Sequence, residues 1–237
     1  MQRYFAKDKV NNYIILEDSD MHHIKNVMRM NDEDRIECVY EKQVYVCRVG
    51  DVLDNKVEII EIVVEDNELS CEVAVAIALV REQKMDLILQ KLTELGVSKI
   101  IPLKMERSIV KLDDKKFKKK RERWLSICKE AAEQSHRNII PEITELKTLK
   151  NLENIDYESK FVCSVSNKEN LVNKYLQNNN KCDRMLFVIG PEGGISAKEE
   201  EYLNSIGFVS VSLGSRVLRV ETAAIYVASV VSFCSMR

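Results

Sequence analysis

Two segments in the last fifth of the chain combine residue types that ordinary loops rarely bring together. They are Gly190-Pro191-Glu192-Gly193-Gly194 and Leu213-Gly214-Ser215-Arg216-Val217-Leu218-Arg219-Val220-Glu221-Thr222-Ala223. Glycine leaves main chain bare, so a ligand can approach peptide groups closely, and five of the seven glycines fall between Gly190 and Gly214. The first segment is not a phosphate cradle of the familiar kinds: GxGxxG and GxxxxGK[ST] are both absent, and Glu192 would repel a phosphate. A ligand with hydroxyls or an amine suits it better. In the second segment Arg216 and Arg219 lie three apart, and Glu221 and Thr222 stand where a helix begins. Two arginines and a carboxylate in an otherwise apolar stretch need partners if buried. A structural ion pair between Arg219 and Glu221 is one reading of them, and a place in a site is the other.

Such residues need a scaffold, and the surrounding pattern supplies one. Each segment follows a short apolar run (185–189 and 208–213) that reads as a buried strand, and each leads into a helical stretch. Turns at the same end of neighbouring parallel strands form a crevice. Ser196 and Glu199 are spaced for a capping box, which predicts a helix over 197–205. Upstream, residues 71–80 form a continuous apolar strand of the kind buried on both faces. Met85, Ile88, Leu89, Leu92 and Leu95 then fall at helical spacing, ended by Gly96, and 97–103 reads as the next parallel strand. A long helix over 115–135 carries Phe117, Trp124, Cys128, Ala131 and Ser135 on one stripe, followed by a strand at 161–165 and a helical stretch at 168–177. The last helix, 222–234, is apolar almost all round, so it is either a covered core helix or half buried in a dimer interface. Before all of these, 35–40, 43–49 and 56–63 predict a small β-rich unit interrupted by a short helix between Met21 and Met30. The polar, unpatterned stretch 65–70 is the best domain linker, which gives an N-terminal domain over 1–68 and an α/β domain over 71–237.

At 237 residues, with 45% hydrophobic and 31% charged side chains, the chain has the composition of a globular protein, and no apolar run reaches the length of a membrane span. Neither a secretory leader nor a CxxC or Cys/His pair at metal spacing is present, so the seven cysteines predict reduced thiols in a cytoplasmic protein without a metal site. The net charge of −2 conceals an uneven distribution: 1–70, 71–150 and 151–237 carry −7, +6 and −1. Much of the basic excess sits at Lys115, Lys116, Lys118, Lys119, Lys120, Arg121 and Arg123. That cluster is either a solvated helix face or a surface for a polyanionic partner.

The motifs also resemble a known family in order and along nearly the whole chain. GPEGG, LGSRVLRVETA, Glu94-Leu95-Gly96-Val97 with Pro102, Arg107-Ser108, Glu130-Ala131-Ala132-Glu133-Gln134-Ser135 with Arg137 and Pro141, Arg3-Tyr4-Phe5, and His22-His23-Ile24 through Arg29 carry the likeness. Together they resemble the bacterial 16S ribosomal RNA uridine-N3 methyltransferases of the knotted SPOUT superfamily. The resemblance implies a PUA-like N-terminal β-barrel that helps hold RNA and an α/β domain with a mainly parallel sheet and a deep trefoil knot. It further implies S-adenosylmethionine bound in the knot, small-subunit 16S rRNA as substrate, and a homodimer. Carried onto this chain, it implies cofactor contacts from Ile189, Gly190, Glu192, Gly193, Leu213, Gly214, Leu218, Thr222 and Ala223. Arg219 and Glu221 become the catalytic residues, and Arg3, Arg29, Arg107, Lys111 and Arg137 the holders of RNA phosphates. Glu33, His136 and Val220 depart from the common pattern, Glu33 at a turn where relatives carry glycine. Two other functions are compatible with the same residues: RNA ribose 2′-O-methylation by a SPOUT enzyme, and non-catalytic RNA binding in ribosome assembly.

Overall fold

The computed structural model describes residues 1–50, 55–166, 170–178 and 184–235; the separator 51–54 and the start of the stretch expected to be helical from Lys168 lie outside them. The chain divides into two compact units, Met1–Glu68 with Lys129–Ile140, and Leu69–Cys128 with Pro141–Arg237. The first break falls within the polar 65–70 stretch. The excursion over 129–140 begins without a compositional mark in the sequence, because Lys129 lies inside one continuous helical pattern.

In the first unit, β1 (Arg3–Phe5), β2 (Asp8–Val10), β3 (Tyr13–Ile15), β4 (Arg35–Tyr40), β5 (Gln43–Arg48) and β6 (Lys56–Val63) form one sheet ordered β1-β4-β5-β6-β3-β2. All its pairings are antiparallel except β1 with β4. Helix α1 (Asp18–His22) runs on into a wider turn, His23–Val27, inside the segment where the sequence predicts a helix. Tyr4, Ile14, Ile24, Ile36, Cys38, Cys47 and Val57 close the core. Glu33 is not among the residues with positive φ, so its turn makes no demand for glycine at this position.

The second unit is a purely parallel sheet. Its strands are β7 (Glu72–Ala78), β8 (Lys99–Lys104), β9 (Glu142–Ile143), β10 (Lys147–Thr148), β11 (Ser159–Cys163), β12 (Arg184–Ile189) and β13 (Val209–Val211), in the order β10-β8-β7-β12-β11-β13 with β9 beside β8. Helices α2 (Glu82–Glu94), α3 (Asp114–Gln134), α4 (Val172–Asn178), α5 (Ala197–Ser205) and α6 (Val220–Ser235) alternate with them, α3 belonging to this unit as far as Cys128 and to the first from Lys129. Strand β7 lies in the middle of the sheet, and Val73 to Ala78 are all buried, as expected of a strand covered on both faces. Gly96 ends α2 with φ +87°, which only glycine adopts freely. From β12 the chain crosses β11 to reach the edge strand β13, then returns so that α6 packs on α2, α4 and β12. On α6 Ala223, Ala224, Val227, Ala228 and Val231 are buried, while Tyr226 and Phe233 face out. No helix among the described residues is long and apolar enough to cross a membrane.

Candidate active site

The carboxyl ends of β11, β12 and β13 enclose a cleft of about 180 Å³. Its walls come from 163–166 at the end of β11, from 189–191 with Gly194 and Ile195 after β12, and from 212–218 with Val220 and Ala223 leading into α6, with Glu200 of α5 beside them. The position follows from topology, because parallel strands aim their carboxyl ends and the following turns to one side of the sheet.

Local chemistry sets each wall. After Ile189, a β-carbon on Gly190 would lie 2.5 Å from Ile195 Cγ1, so this position admits no side chain without moving the turn. The Gly194 amide donates to the Pro191 carbonyl at 2.8 Å, and Gly194 takes φ +74°. Ser196 then caps α5 as the sequence predicts: the Glu199 amide donates to its hydroxyl at 3.3 Å and the Ser196 amide to the Glu199 carboxylate at 2.9 Å. On the opposite wall the Gly214 amide donates to the Ser212 hydroxyl at 3.3 Å, holding a main-chain kink with φ +115°. Space beside Gly214 is open: a β-carbon there would meet nothing within 4 Å. Bare peptide groups on two sides, with Ile189, Leu213, Leu218 and Ala223 between them, suit a flat, partly polar ligand of nucleoside type. Burial pushes the Cys163 thiol up to about 12, which favours the protonated form of this lining residue.

Ile189, Gly190, Leu213, Gly214, Leu218 and Ala223 therefore meet in one cleft, and three expected cofactor residues do not line it. Glu192 turns instead to Lys84, whose Nζ is 2.9 Å from its Oε1. Burial pushes the Glu192 carboxyl up, but the Lys84 ammonium, its own backbone amide and the Arg81 charge together hold it below the usual carboxylate range. Gly193 packs against Arg107: a β-carbon on Gly193 would lie 3.0 Å from Arg107 Cβ, and Arg107 Nη1 donates to the Gly193 carbonyl at 3.1 Å. Thr222 is exposed on α6.

The structural alternative for Arg219 and Glu221 does not hold, since no ion pair joins them among the described residues. Glu221 faces Lys84 at 3.7 Å, and its buried Oε2 accepts no hydrogen bond from protein. Arg219 is exposed between the lining residues Leu218 and Val220, and Arg216 lines the cleft itself. Lys84 thus joins the carboxylates of both motifs.

Of the expected phosphate holders, Arg29, Arg107 and Lys111 are exposed. Arg3 and Arg137 require correction. Arg3 is fully buried, pairs with Glu37 and Glu65, and donates to the His136 carbonyl at 2.6 Å, while Arg137 is 2% exposed and pairs with Glu68. Buried guanidiniums already engaged by carboxylates are structural cations of the first unit, not phosphate contacts.

Two family models match the chain: an RNA methyltransferase domain over residues 67–232 and an RNA methyltransferase PUA domain over residues 16–62. The protein named ribosomal RNA small subunit methyltransferase E from Bacillus subtilis (strain 168) is 38% identical, with 98% of this chain and 96% of the relative covered. Its namesake from Mesomycoplasma hyopneumoniae (strain 232) is 35% identical over 95% of this chain and 96% of its own. Among solved structures, a Legionella pneumophila methyltransferase in complex with S-adenosylmethionine superposes with a TM-score of 0.88 at 29% identity, covering 98% and 96% of the two chains. A ribosomal RNA small subunit methyltransferase E from Neisseria gonorrhoeae, also bound to S-adenosylmethionine, gives 0.84 at 26% identity over 98% and 97%.

Proposed function

We propose, from the premise that this chain belongs to the RNA methyltransferase family that includes the ribosomal RNA small subunit methyltransferases E, that it methylates N3 of a uridine in 16S rRNA. The methyl donor is S-adenosylmethionine, which supplies an electrophilic methyl group on a sulfonium. The observation that carries this reading is the cleft itself, where both motifs contribute bare main chain and apolar walls to one hollow. Gly190, Gly194 and Gly214 offer peptide groups to the polar edges of a nucleoside, and Ile189, Leu213, Leu218 and Ala223 cover its faces.

Uridine N3 keeps its proton at neutral pH and becomes nucleophilic only as that proton leaves. The protein must therefore favour the anion. Arg219 stabilises the negative charge that develops on the flanking carbonyl oxygens. Glu221 takes the proton, its Oε2 having no hydrogen-bond donor within the described protein. Orientation contributes the remainder, because attack requires nitrogen, carbon and sulfur in line. The target nucleotide has to leave its stack to enter the cleft. Incubation with small-subunit rRNA and labelled S-adenosylmethionine, followed by nucleoside analysis, tests the assignment. N3-methyluridine is expected; label on a ribose 2′-oxygen, or none in RNA, would contradict it.

A further inference from the structure

We infer that Lys115, Lys118 and Lys119 on α3 form a docking surface for the phosphate backbone of RNA, an inference that rests on the reading above that RNA is the substrate. The seven cations between 115 and 123 read alike in sequence, and the structure sorts them. Helical geometry of about 100° per residue puts Lys116, Lys120 and Arg123 on one side of α3. Each has a carboxylate there: Lys116 Nζ lies 3.4 Å from Asp113, Lys120 Nζ 3.1 Å from Glu82, and Arg123 2.8 Å from Glu82 and 2.6 Å from Asp86. A second side carries the buried Phe117, Trp124 and Cys128, together with Arg121, which donates to the Ile143 carbonyl at 2.8 Å and lies 3.6 Å from Glu145. Lys115, Lys118 and Lys119 fall on the third side, within an arc of about 100°. All three are exposed, and none has an ion pair among the described residues. Exposed Glu122 ends this cationic stripe one turn further on.

Charge elsewhere strengthens the assignment. Residues 1–70 hold 16 acidic and 9 basic side chains, so they repel a polyanion on balance. Two of the arginines expected to hold phosphates, Arg3 and Arg137, are buried against Glu37, Glu65 and Glu68. Lys115, Lys118 and Lys119 instead put three exposed cations without a carboxylate partner among the described residues on one side of a single helix. Lysine is suited to it: a mobile point charge contacts phosphates without reading sequence, and positions one turn apart, about 5.4 Å along the axis, can serve neighbouring phosphates.

The test compares full-length wild type with K115Q/K118Q/K119Q, the charge-preserving K115R/K118R/K119R, and a control of equal charge change, K147Q/K150Q/K198Q. Affinity for a small-subunit rRNA fragment is measured over a salt series, alongside affinity for S-adenosylmethionine. The glutamine triple on α3 should flatten the slope of log K against log salt by about 2 and weaken low-salt binding about tenfold or more. Cofactor affinity should stay at the wild-type value. Arginine should keep the wild-type slope, and the control should change it little. If wild type binds and methylates RNA while the α3 triple keeps its slope, or the control flattens it equally, the inference fails and the proposed function stands. An unchanged slope with lost binding to small-subunit proteins would assign the stripe to an acidic protein partner, again overturning it. Wild type that neither binds nor methylates RNA would remove the underlying reading as well.

Discussion

Arg219 and Lys84 sit close to the same cleft segments, and the proposed reaction gives charge stabilisation to the first and positioning to the second. Arg219 is exposed and free of any carboxylate among the described residues, so its charge is available to a substrate oxygen. Arg219→Ala should lower kcat by about 10²- to 10³-fold, the range for losing one donor to a developing oxyanion, and leave the dissociation constant for S-adenosylmethionine within about twofold. Turnover like that of wild type would refute the role. Lys84 acts through others: it holds Glu192 after β12 and Glu221 at the start of α6, at 2.9 and 3.7 Å. Lys84→Met should leave both carboxylates without their shared cation and cost about 1–2 kcal/mol, less than for a fully buried pair because Lys84 and Glu192 are 31% and 28% exposed. Weaker cofactor binding, restored by Lys84→Arg, is the signature of positioning; a change in melting temperature alone would argue for a purely structural bridge.

Elements explain both what the sequence discloses and what it hides. Strands β7, β8 and β12 are legible because a strand buried on both faces is apolar through its middle, and α5 because Ser196 and Glu199 form its capping box; β11 begins two residues before the expected 161–165, at Ser159 and Lys160, where no apolar pattern marks it. By contrast, β1, β2 and β3 have three residues each and β9 and β10 two, too few to show any period. Two walls of the cleft announce themselves through glycine. The third, 163–166, carries no glycine or charge and enters only because β11 lies between β12 and β13. Lys84 escapes notice because apolar periodicity marks α2 from Met85 onward, while the ammonium acts on a residue 108 positions away. The turn after β12 gives a direct test: Gly190→Ala should destabilise the protein by about 1–3 kcal/mol through collision with Ile195, and trimming Ile195 to alanine should recover part of that loss in urea unfolding. In the first unit, burial raises the Glu133 carboxyl to about 7, against the attraction of Lys129 3.8 Å away and a hydrogen bond from the Phe5 amide, and with repulsion from Asp20 and Glu130. A folded value above the unfolded one means stability is fullest below about pH 4.5 and is lost as pH rises towards 7. Amide exchange in β1 and β4, corrected for intrinsic rates, should show less protection at pH 8 than at pH 5.5, and Glu133→Gln should remove the difference.

At the scale of the whole molecule, a purely parallel sheet carries the cleft and α6 carries both the cleft's last wall and an outward apolar face. Tyr226 and Phe233 are 39% and 75% exposed on a helix whose other side is core, which supports the proposed homodimer. Phe233→Glu should therefore shift the protein from dimer to monomer in sedimentation; a wild-type monomer at micromolar concentration would count against that arrangement. Every functional statement depends on the hollow between the turns after β12 and β13 being the place of the methyl donor. A crystal structure of this protein grown with S-adenosylmethionine tests that most directly. The account predicts donor density between Gly190 and Gly214, with main-chain hydrogen bonds to the nucleoside and the sulfonium methyl directed towards the side of Arg219. Density for the donor elsewhere on the protein, with this cleft closed by Leu213 or Ile195, would contradict it.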